Sequence, residues 1–329
     1  MKQALILAMV ITAVCVGMGL LLRPAQSGGE EGLPVTEPQT VTEPSPEAVG
    51  ILDEAVHLRV LMEDGTVQTM SLSQYLPGVL LAEMPTSFAP EAQKAQAVVS
   101  RTYALHRRSG NKHEGADICA SAQCCQGWKD PASCSQEAVL AAREAVHQTD
   151  GLVLIYQNRL IDATFFSSSG GRTEAAVAVW GSDIPYLQAV DSPGEAAPHN
   201  EDTVTFSQDA FAALIRDAAP EAVLTGPAVF WFGEVSRTEG GGVDQMQIGG
   251  VSFSGKTLRG LLGLRSTAFA VEAVGDQILI HTQGYGHRVG MSQYGAEAMA
   301  EEGKNFQDIL NHYYTDVSLN YYIEATDFQ

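Results

Sequence analysis

The chain has 329 residues, 45% of them apolar, and a formal net charge of −20 from 19 Lys and Arg against 39 Asp and Glu. This length allows one large domain or two modest ones, and the composition is that of a folded protein. The acidity and the lack of a Lys/Arg cluster exclude a general nucleic-acid-binding protein and a polybasic membrane-surface protein, since both need clustered cations.

The N-terminal segment predicts a membrane anchor. Residues 4–22 carry no charge over nineteen positions, with Lys2 before them and Arg23 after them. At about 1.5 Å per residue, a helix of this length crosses the hydrocarbon core of a bilayer. A cleaved signal peptide is the alternative, because the segment is N-terminal and starts with a positive charge. We expect an uncleaved transmembrane helix over residues 1–23, with the rest of the chain outside the cytoplasm.

The next segment, residues 24–50, predicts a flexible linker. It holds five of the fourteen prolines and five Glu, and it has no aromatic residue. Such a stretch buries too little apolar surface to offset the entropy lost on ordering. We therefore expect residues 51–329 to form the folded, extracytoplasmic domain.

Strand and helix patterns are interspersed along the folded part without a strict βαβ order. This favours an α+β fold of helices and antiparallel sheet. A two-lobed domain is one possible form of such a fold. The first hairpin is predicted from 56–62 and 66–72, because an Asp-Gly turn separates two β-prone runs. The later patterns predict, in chain order, helices over 72–84, 90–107 and 135–147, a hairpin from 152–156 and 160–165, irregular chain over 166–200, short helices mixed with strands over 201–281, helices near 290–302 and 305–313, and a last strand near 317–323.

Four of the five cysteines fall between positions 119 and 134. His113 lies six residues before Cys119, and Cys125 lies six residues after it. One imidazole and two thiolates suit a tetrahedral zinc site with a fourth position left for water or another side chain. Disulfides are the alternative, since an extracytoplasmic location permits them. A bridge between Cys124 and Cys134 is compatible with either interpretation.

Glu83 ends an apolar helical run just before Pro85. A carboxyl group among apolar side chains resists ionisation, so its pKa rises and it can act as a general acid. A solvated glutamate at a helix end is the alternative. No second carboxylate pairs with it in the sequence.

Two Gly-rich segments carry neutral polar and aromatic side chains. Residues 284–295 combine four glycines with Tyr, His, Ser and Gln, and residues 167–173 are rich in Ser and Gly. Glycine lets the backbone approach a ligand, and such side chains suit a polyhydroxylated ligand, although a tight structural turn is the alternative. The pattern is neither a phosphate loop nor a nucleophile elbow, so a serine hydrolase is disfavoured.

Taken together, these blocks resemble the stage II sporulation protein D family of peptidoglycan lytic transglycosylases. The likeness runs through nearly the whole chain in the family's order. It is carried by LPGVLLAEMP at 76–85, EAQKAQAVVSRTYAL at 91–105, FFSSSGGRT at 165–173, VWG at 179–181, PYL at 185–187, LRGLLGLRSTAF at 258–269, and the block at 284–296.

The resemblance implies that Glu83 is the catalytic acid that cleaves the linkage between N-acetylmuramic acid and N-acetylglucosamine. A lytic transglycosylase needs one carboxyl group, because the muramic C6 hydroxyl replaces water as the nucleophile. Cleft residues that the resemblance implies are Lys94, Arg101, Tyr103, Ser168, Tyr285, His287, Ser292, Gln293 and Tyr294.

Some family members bind zinc through a His-x5-Cys-x5-Cys arrangement, so the resemblance implies a structural zinc ion at His113, Cys119 and Cys125. The chain departs from the family pattern at Phe166, where a His is usual, and at Arg288, where a Gly is usual. Arg288 either reaches a muramyl carboxyl group or points to solvent.

The resemblance also implies septal wall remodelling during forespore engulfment, together with a wall amidase/endopeptidase and a membrane partner. A non-catalytic wall-binding or amidase-activating protein is one alternative function. A zinc-dependent wall amidase or peptidase is the other.

Overall fold

The computed structural model describes residues 52–108, 110 and 112–325, and all of them belong to one compact unit of the chain. The predicted anchor over 1–23 and the linker over 24–50 lie outside the described residues. Within the described ranges, every helix is too short or too polar to cross a membrane.

The predicted helices are present in the predicted order and with most of their bounds, but the structure adds two short helices. One is Leu52–Ala55, and the other is Ala176–Trp180, within the stretch 166–200 that was expected to be mostly irregular. The 90–108 helix carries the largest share of the packing, because its positions 92–93 and 95–105 are all buried. In chain order the helices are α1 Leu52–Ala55, α2 Leu72–Glu83, α3 Pro90–Arg108, α4 Gln136–Gln148, α5 Ala176–Trp180, α6 Gln208–Ala218, α7 Gly255–Leu261, α8 Gln293–Glu301 and α9 Phe306–Tyr313.

The strands are short and form several small sheets, most of them antiparallel. This confirms the α+β expectation. The strands are β1 His57–Leu61, β2 Val67–Ser71, β3 Ile118–Cys119, β4 Leu152–Tyr156, β5 Arg159–Leu160, β6 Phe165–Phe166, β7 Gly171–Arg172, β8 Asp191–Ser192, β9 Glu201–Ser207, β10 Phe232–Arg237, β11 Val243–Ile248, β12 Val251–Ser254, β13 Ala268–Val274, β14 Gln277–Gln283, β15 Met291–Ser292 and β16 Ser318–Tyr321.

The first predicted hairpin is confirmed. Strands β1 and β2 pair antiparallel from His57↔Ser71 to Leu61↔Val67, around a turn in which Gly65 has φ +84°. The chain then enters α2 directly, where the Ser71 amide donates to Gln74 Oε1 at 3.1 Å and so satisfies an N-terminal donor. Glu83 is the last residue of this helix, because Met84 precedes Pro85 and takes an extended backbone conformation.

The second hairpin is shorter than predicted. Strand β4 pairs antiparallel with β5 only at Ile155↔Leu160 and Tyr156↔Arg159, and β16 covers its other edge. Phe165 and Phe166 leave this sheet and pair, in parallel, with Met291 and Ser292 instead. The two-residue β6–β15 pairing therefore brings two segments together that are more than a hundred positions apart in the chain.

Helix α3 separates two hydrophobic clusters. Its Ala97, Tyr103 and Ala104 pack with α2, α4 and β1, whereas its Ala95 and Val98 pack with β4, α8 and α9. A third cluster lies within residues 204–280, around Phe211, and is closed by the sheets β9–β14–β13 and β10–β11–β12. Residues 201–283 thus carry a core of their own within the same compact unit.

Candidate active site in an aromatic cleft

A cleft of about 520 Å³ opens where α2, the cysteine-rich loop, β6, α5, α7 and the loop 284–290 meet. This volume lies within the range of small-ligand sites. Its lining combines aromatic rings, two arginines and a single carboxyl group. The lining residues are Glu83, Tyr103, Arg107, Ala122, Gln123, Cys124, Cys125, Thr164, Phe165, Phe166, Ser167, Trp180, Arg259, Tyr285, Gly286, His287 and Gln293.

Glu83 is the last residue of α2, and its carboxyl group faces the cleft. The Gly127 amide donates to Glu83 Oε1 at 2.5 Å, and Gln293 also makes a side-chain hydrogen bond to this carboxyl group. A Cβ atom at position 127 would lie 3.0 Å from Glu83 Oε1 and 3.3 Å from the Cβ of Ala82. The absence of a side chain at Gly127 is what allows this close approach.

Burial raises the pKa of Glu83, and the hydrogen bonds from Gly127 and Gln293 only partly oppose that effect. The position at the C-terminal end of α2 acts in the same direction, because the negative end of the helix dipole disfavours a carboxylate. Glu83 is therefore a carboxyl group that keeps its proton to a higher pH than an exposed glutamate, as a general acid must.

His287 also lines the cleft and is held there as a neutral ring. Burial, together with the nearby Arg259 charge, lowers the pKa of His287 to about 4. The Val289 amide donates to its Nδ1 at 3.1 Å, which leaves Nε2 as the protonated nitrogen. The rings of Phe166 and Trp180 lie 5.7 and 5.5 Å from the imidazole. His287 is thus a fixed neutral hydrogen-bonding group.

Tyr103 and Phe165 form one aromatic wall, with their ring centroids 6.5 Å apart. Burial raises the pKa of Tyr103 to about 12, so the phenol stays protonated. The Arg107 guanidinium lies 4.8 Å from the Tyr103 ring and donates twice to Asp162, at 2.9 and 2.8 Å. Asp162 therefore neutralises Arg107 at this wall.

Tyr285 projects into the cleft from the Gly-rich loop and is 45% exposed. Its backbone is fixed by two hydrogen bonds with Ser168, at 3.2 and 2.7 Å. Arg259 reaches the same side from α7, and its Nε donates to the Leu264 carbonyl at 3.3 Å. An exposed ring beside a cation offers a stacking face and a charge to an incoming sugar.

Two predicted cleft residues are placed elsewhere. Arg101 is fully buried in the core, where it donates to both carboxylate oxygens of Asp53 at 2.7 and 2.6 Å and to the Leu152 carbonyl. No sugar can reach it there, so its expected role in the cleft is corrected to a structural one. Lys94 pairs with Glu91 at 2.5 Å and lies 5.9 Å from the Phe306 ring, off the cleft lining.

Three further predicted residues support the cleft without lining it. Ser168 is buried and holds the Tyr285 backbone, as described above. Ser292 caps α8 by accepting from the Gly295 amide at 3.1 Å. Tyr294 packs edge-on against Phe88 with centroids 5.0 Å apart. The predicted residues that the structure does bring together at the cleft are Glu83, Tyr103, Tyr285, His287 and Gln293.

Arg288 neither reaches the cleft nor points to solvent, which corrects both alternatives from the sequence. It is only 2% exposed, and its guanidinium donates to Glu174 at 3.2 Å. It also donates to the carbonyls of Ser169, Arg172 and Gly240 at 2.6–2.7 Å. Its φ of +65° is the left-handed conformation that glycine adopts without strain. The Arg288 side chain thus joins its own loop to the Ser/Gly-rich loop and to the turn at Gly240. It does so although its backbone conformation is one that suits Gly.

Several cleft residues were absent from the sequence-based set, although some of them had a signal in the sequence. Phe165, Trp180 and Arg259 lie inside the blocks 165–173, 179–181 and 258–269 that carry the family resemblance. Arg107 gave no local signal, because its partner Asp162 lies far away in the chain. Glu195 was also missed, yet it accepts from the amides of Ser169 and Gly170 at 2.9–3.0 Å and so holds the Ser-rich loop.

The cysteine-rich loop gathers a group that fits a metal ion. One ligand atom each from His113, Cys119, Cys124 and Cys125 all lie within 4.8 Å of one another. In a tetrahedral zinc site, with bonds of about 2.1 and 2.3 Å, ligand atoms stand about 3.6–3.8 Å apart, so the donor set and spacing suit zinc. The four described cysteines are free thiols in this structure, so the Cys124–Cys134 bridge that the sequence left open is not formed here.

This arrangement has counterparts among known proteins. A family model described as Stage II sporulation protein matches residues 63–156, which include Glu83, α3 and the cysteine-rich loop. The chain is 34% identical to Stage II sporulation protein D of Bacillus subtilis (strain 168), over 97% of this chain and 96% of that protein. It is 37% identical to Stage II sporulation protein D of Bacillus amyloliquefaciens, over 80% of this chain and 77% of that protein.

A more distant relative carries a different name. The Amidase enhancer of Bacillus subtilis (strain 168) is 29% identical over 75% of this chain, and the match spans 40% of that protein.

Proposed function

The chain belongs to the stage II sporulation protein D family, and from that premise we propose that it is a peptidoglycan lytic transglycosylase with Glu83 as its acid and base. The substrate is the glycan linkage between N-acetylmuramic acid and N-acetylglucosamine, and the product carries a 1,6-anhydro ring.

One observation supports this reaction above the others. Glu83 is the single carboxyl group among the described residues that line the cleft, and burial raises its pKa. A hydrolase of the common kind uses two carboxyl groups about 5–10 Å apart, one as acid and one as nucleophile or base. A transglycosylase needs only an acid that becomes the base of the next step, and this cleft offers that.

In the first step the protonated Glu83 donates to the glycosidic oxygen. The bond between this oxygen and C1 of the muramic residue breaks, and the N-acetylglucosamine side leaves as an alcohol. Because its pKa is raised, Glu83 holds the required proton at a pH where an exposed glutamate has lost it. The positive charge that develops at C1 lies near the carboxylate that has just formed.

In the second step the Glu83 carboxylate removes the proton from the muramic C6 hydroxyl, and O6 forms the new bond to C1. Glu83 ends the cycle protonated again, so no water is consumed. The Gly127 amide and Gln293 stay hydrogen-bonded to the carboxyl group and hold it in one orientation through both steps. His287 is neutral at this pH and serves as a hydrogen-bonding group rather than a second base.

The rest of the cleft suits an amino sugar with an acidic substituent. Tyr285 and Trp180 are 45% and 38% exposed and offer faces for stacking on sugar rings. Arg107 is already neutralised by Asp162, whereas Arg259 has only a backbone acceptor for its Nε among the contacts described. Where a muramic residue carries no stem peptide, its lactyl group ends in a free carboxylate, and we assign this carboxylate to the Arg259 side of the cleft.

The metal-binding residues have a supporting role in this proposal. A zinc ion bound by His113, Cys119 and Cys125 would crosslink the loop whose Gly127 amide holds Glu83. The Trp128 ring next to Gly127 packs directly on Gly78 of α2, so this loop is also held against the helix that carries the acid.

The decisive experiment is mass analysis of muropeptides after digestion of purified peptidoglycan by the full-length protein. We expect 1,6-anhydro-muramic ends with the wild type and their loss, by at least about 100-fold in rate, with Glu83→Gln, as removal of a general acid dictates. Glu297→Gln is the matched control, because Glu297 is another half-buried glutamate with a raised pKa, but it lies outside the cleft lining. Reducing ends without the anhydro ring would overturn the proposal.

The name of the Amidase enhancer relative favours a second candidate, a non-catalytic protein that stimulates a wall amidase. This candidate predicts that Glu83→Gln leaves the stimulation of an added amidase unchanged and that the purified protein alone releases no anhydro ends. A zinc amidase or peptidase is the remaining alternative. It predicts cleavage of amide bonds, which the same mass analysis detects, and complete loss of activity on chelation.

We propose further that the protein acts at the sporulation septum, tethered by residues 1–23 through the linker 24–50, with a wall amidase/endopeptidase and a membrane partner. The family name supports a role in sporulation. Membrane fractionation of sporulating cells with and without the first 23 residues tests the tether. Release of the truncated protein from the membrane is expected, and retention of the truncated protein would contradict it.

A further inference from the structure

We propose that Cys124 is a fourth zinc ligand, so that His113, Cys119, Cys124 and Cys125 form a closed Cys3His site without an open position. The sequence pattern accounts for only three ligands and leaves the fourth position open to water or another side chain. The structure adds a third thiol to the same cluster. This inference does not depend on the reaction proposed above.

The distances at the cluster support ligation by both neighbouring cysteines. His113 Nε2 lies 3.2 Å from Cys125 Sγ and 3.8 Å from Cys124 Sγ. These separations bracket the edge of about 3.6–3.8 Å expected for two ligand atoms on one tetrahedral zinc ion. Adjacent residues rarely point to the same side of an extended chain, so a local turn is needed to bring both sulfur atoms to the ion.

The backbone supplies that turn. The amides of Cys124 and Cys125 both donate to the Ser121 carbonyl, at 3.0 and 2.8 Å, which folds residues 121–125 into a tight loop. On the other side, Cys119 lies in β3, which pairs in parallel with β1 through Leu61↔Cys119. His113 is held by a bridge to Ala116. Backbone hydrogen bonds thus hold all four ligand residues in place.

The charges near the cluster also fit three thiolates. Three thiolates and a neutral imidazole around Zn²⁺ leave one net negative charge. The Lys112 ammonium lies 4.0 Å from Cys125 Sγ and donates to the Cys124 carbonyl at 2.7 Å. A cation at this distance lowers the energy of a negative site, whereas a His-Cys-Cys site with one water would be neutral.

A closed site has a specific consequence for the cleft. Cys124 and Cys125 line it, and Gly127, which binds Glu83, follows two residues later. With all four positions taken by protein ligands, zinc here has no place for a nucleophilic water and acts by fixing the loop, as in structural zinc sites generally.

The test compares Cys124→Ser with Cys134→Ser in the full-length protein, purified under reducing conditions. Cys134 lies outside the cluster, with its sulfur atom near the Asp130 carbonyl, so its variant controls for loss of a cysteine. Zinc content is measured by elemental mass spectrometry. After exchange with Co²⁺, the intensity of the thiolate-to-cobalt absorption band reports the number of sulfur ligands.

We expect one zinc ion per wild-type chain. The sulfur band of Cys124→Ser should fall by about one third, since one of three thiolates is lost, and zinc affinity should fall by more than the 10–100-fold typical of losing an outer-shell partner. Cys134→Ser should match the wild type in both measurements. Cys124→His, which keeps a ligand at this position, should restore tight binding with the reduced band.

Three results would overturn the proposal. An unchanged sulfur band in Cys124→Ser would leave water or another group as the fourth ligand. A wild-type protein that is free of zinc and binds none would remove the site altogether. A disulfide between two of the three clustered cysteines in wild-type protein purified without reductant, seen as a loss of two mass units, would mean that the cluster is a redox pair.

Discussion

At the scale of single residues, the cleft depends on a glutamate that the fold makes a weaker acid than usual. Glu83 lies at the end of α2, where burial and the helix dipole both disfavour its negative charge. The two hydrogen bonds it accepts orient it without cancelling that effect. An enzyme that uses one group first as an acid and then as a base needs such a carboxyl group, which keeps its proton in the free enzyme and is held in one orientation.

The raised pKa of Glu83 predicts a pH-dependent stability difference between the wild type and Glu83→Gln. The folded-state pKa of Glu83 lies above its unfolded value, so the folded protein binds this proton more tightly. Its stabilising effect is complete below the unfolded pKa and is lost as the pH rises through the folded pKa. We therefore expect Glu83→Gln to gain thermal stability relative to the wild type as the pH increases from about 4 to 8.

Thermal denaturation of both proteins across this pH range measures the difference, and other groups such as His287 cancel in the comparison. A difference in melting temperature that is constant with pH would mean that Glu83 has an ordinary pKa. The rate of anhydro-product formation should fall over the same interval, since the acid must be protonated to react.

The contact between Gly127 and Glu83 predicts that activity is sensitive to substitution at position 127, although Gly127 has no side chain that takes part in the reaction. In Gly127→Ala the new methyl group would meet Glu83 Oε1 at 3.0 Å, so the carboxyl group or the loop must shift. We expect at least a 10-fold lower turnover, because displacements of about 1 Å at a reacting group are that costly. Gly260→Ala, whose Cβ meets nothing within 4 Å, should keep wild-type turnover.

At the scale of elements, loops distant in the chain are joined by buried polar contacts rather than by long strands. Strands β6 and β15 pair over only two residues. The Arg288 guanidinium then connects the Ser/Gly-rich loop, through Ser169 and Arg172, to the turn at Gly240. Glu174 balances its charge and also accepts from Thr238 and the Gly242 amide. A few buried hydrogen bonds thereby fix the loop that carries Tyr285 and His287.

The Arg288–Glu174 pair predicts a large loss of stability on removal of the guanidinium. Arg288→Met removes the charged partner of the buried Glu174 carboxylate and the donor to three carbonyls, and we expect a loss of about 3–5 kcal/mol in the free energy of unfolding. Arg172→Met removes an exposed guanidinium paired with Asp191 and Glu239, and such surface pairs contribute about 0–1 kcal/mol each.

Chemical denaturation of the two variants tests the comparison. Equal, small losses for Arg288→Met and Arg172→Met would contradict the structural role of Arg288. The double variant Arg288→Met with Glu174→Gln should recover part of the loss, since it no longer buries an unpaired charge.

At the scale of the whole molecule, the net charge of −20 opposes attraction to an anionic wall polymer. Part of this charge lies in the linker, with its five Glu over residues 24–50. Under the proposed function, recruitment then depends on the tether and on contacts within the cleft, which aromatic side chains and Arg259 line. Long-range electrostatics acts against the encounter.

The repulsion between the acidic protein and an anionic wall polymer predicts that binding to the wall does not weaken when salt is added. Binding of the full-length Glu83→Gln protein to purified wall fragments, measured by co-sedimentation, should rise or stay constant as the ionic strength increases to about 0.15 M, where charges are screened beyond about 8 Å. A steep fall in binding with added salt would show that electrostatic attraction drives recruitment.

The sequence by itself determined the local structure and the chemical types in the site. The Asp-Gly turn, the helix over Leu72–Glu83 and the long helix α3 follow from spacing, turn residues and Pro85, which act over a few positions. The same spacing placed Glu83 at a helix end, where a carboxyl group can be desolvated. For His113, Cys119 and Cys125, the spacing left zinc and disulfides open, and the family resemblance favoured zinc.

Only the tertiary structure decided which of these residues meet. Arg101 lies on the same helix as Tyr103, yet it is buried on Asp53 while Tyr103 faces the cleft, because a rotation of two residues turns a side chain to another side of a helix. Arg107, Trp180 and Arg259 join the cleft through contacts between distant segments. Residue spacing along the chain does not predict such contacts, since they depend on how the three hydrophobic clusters pack.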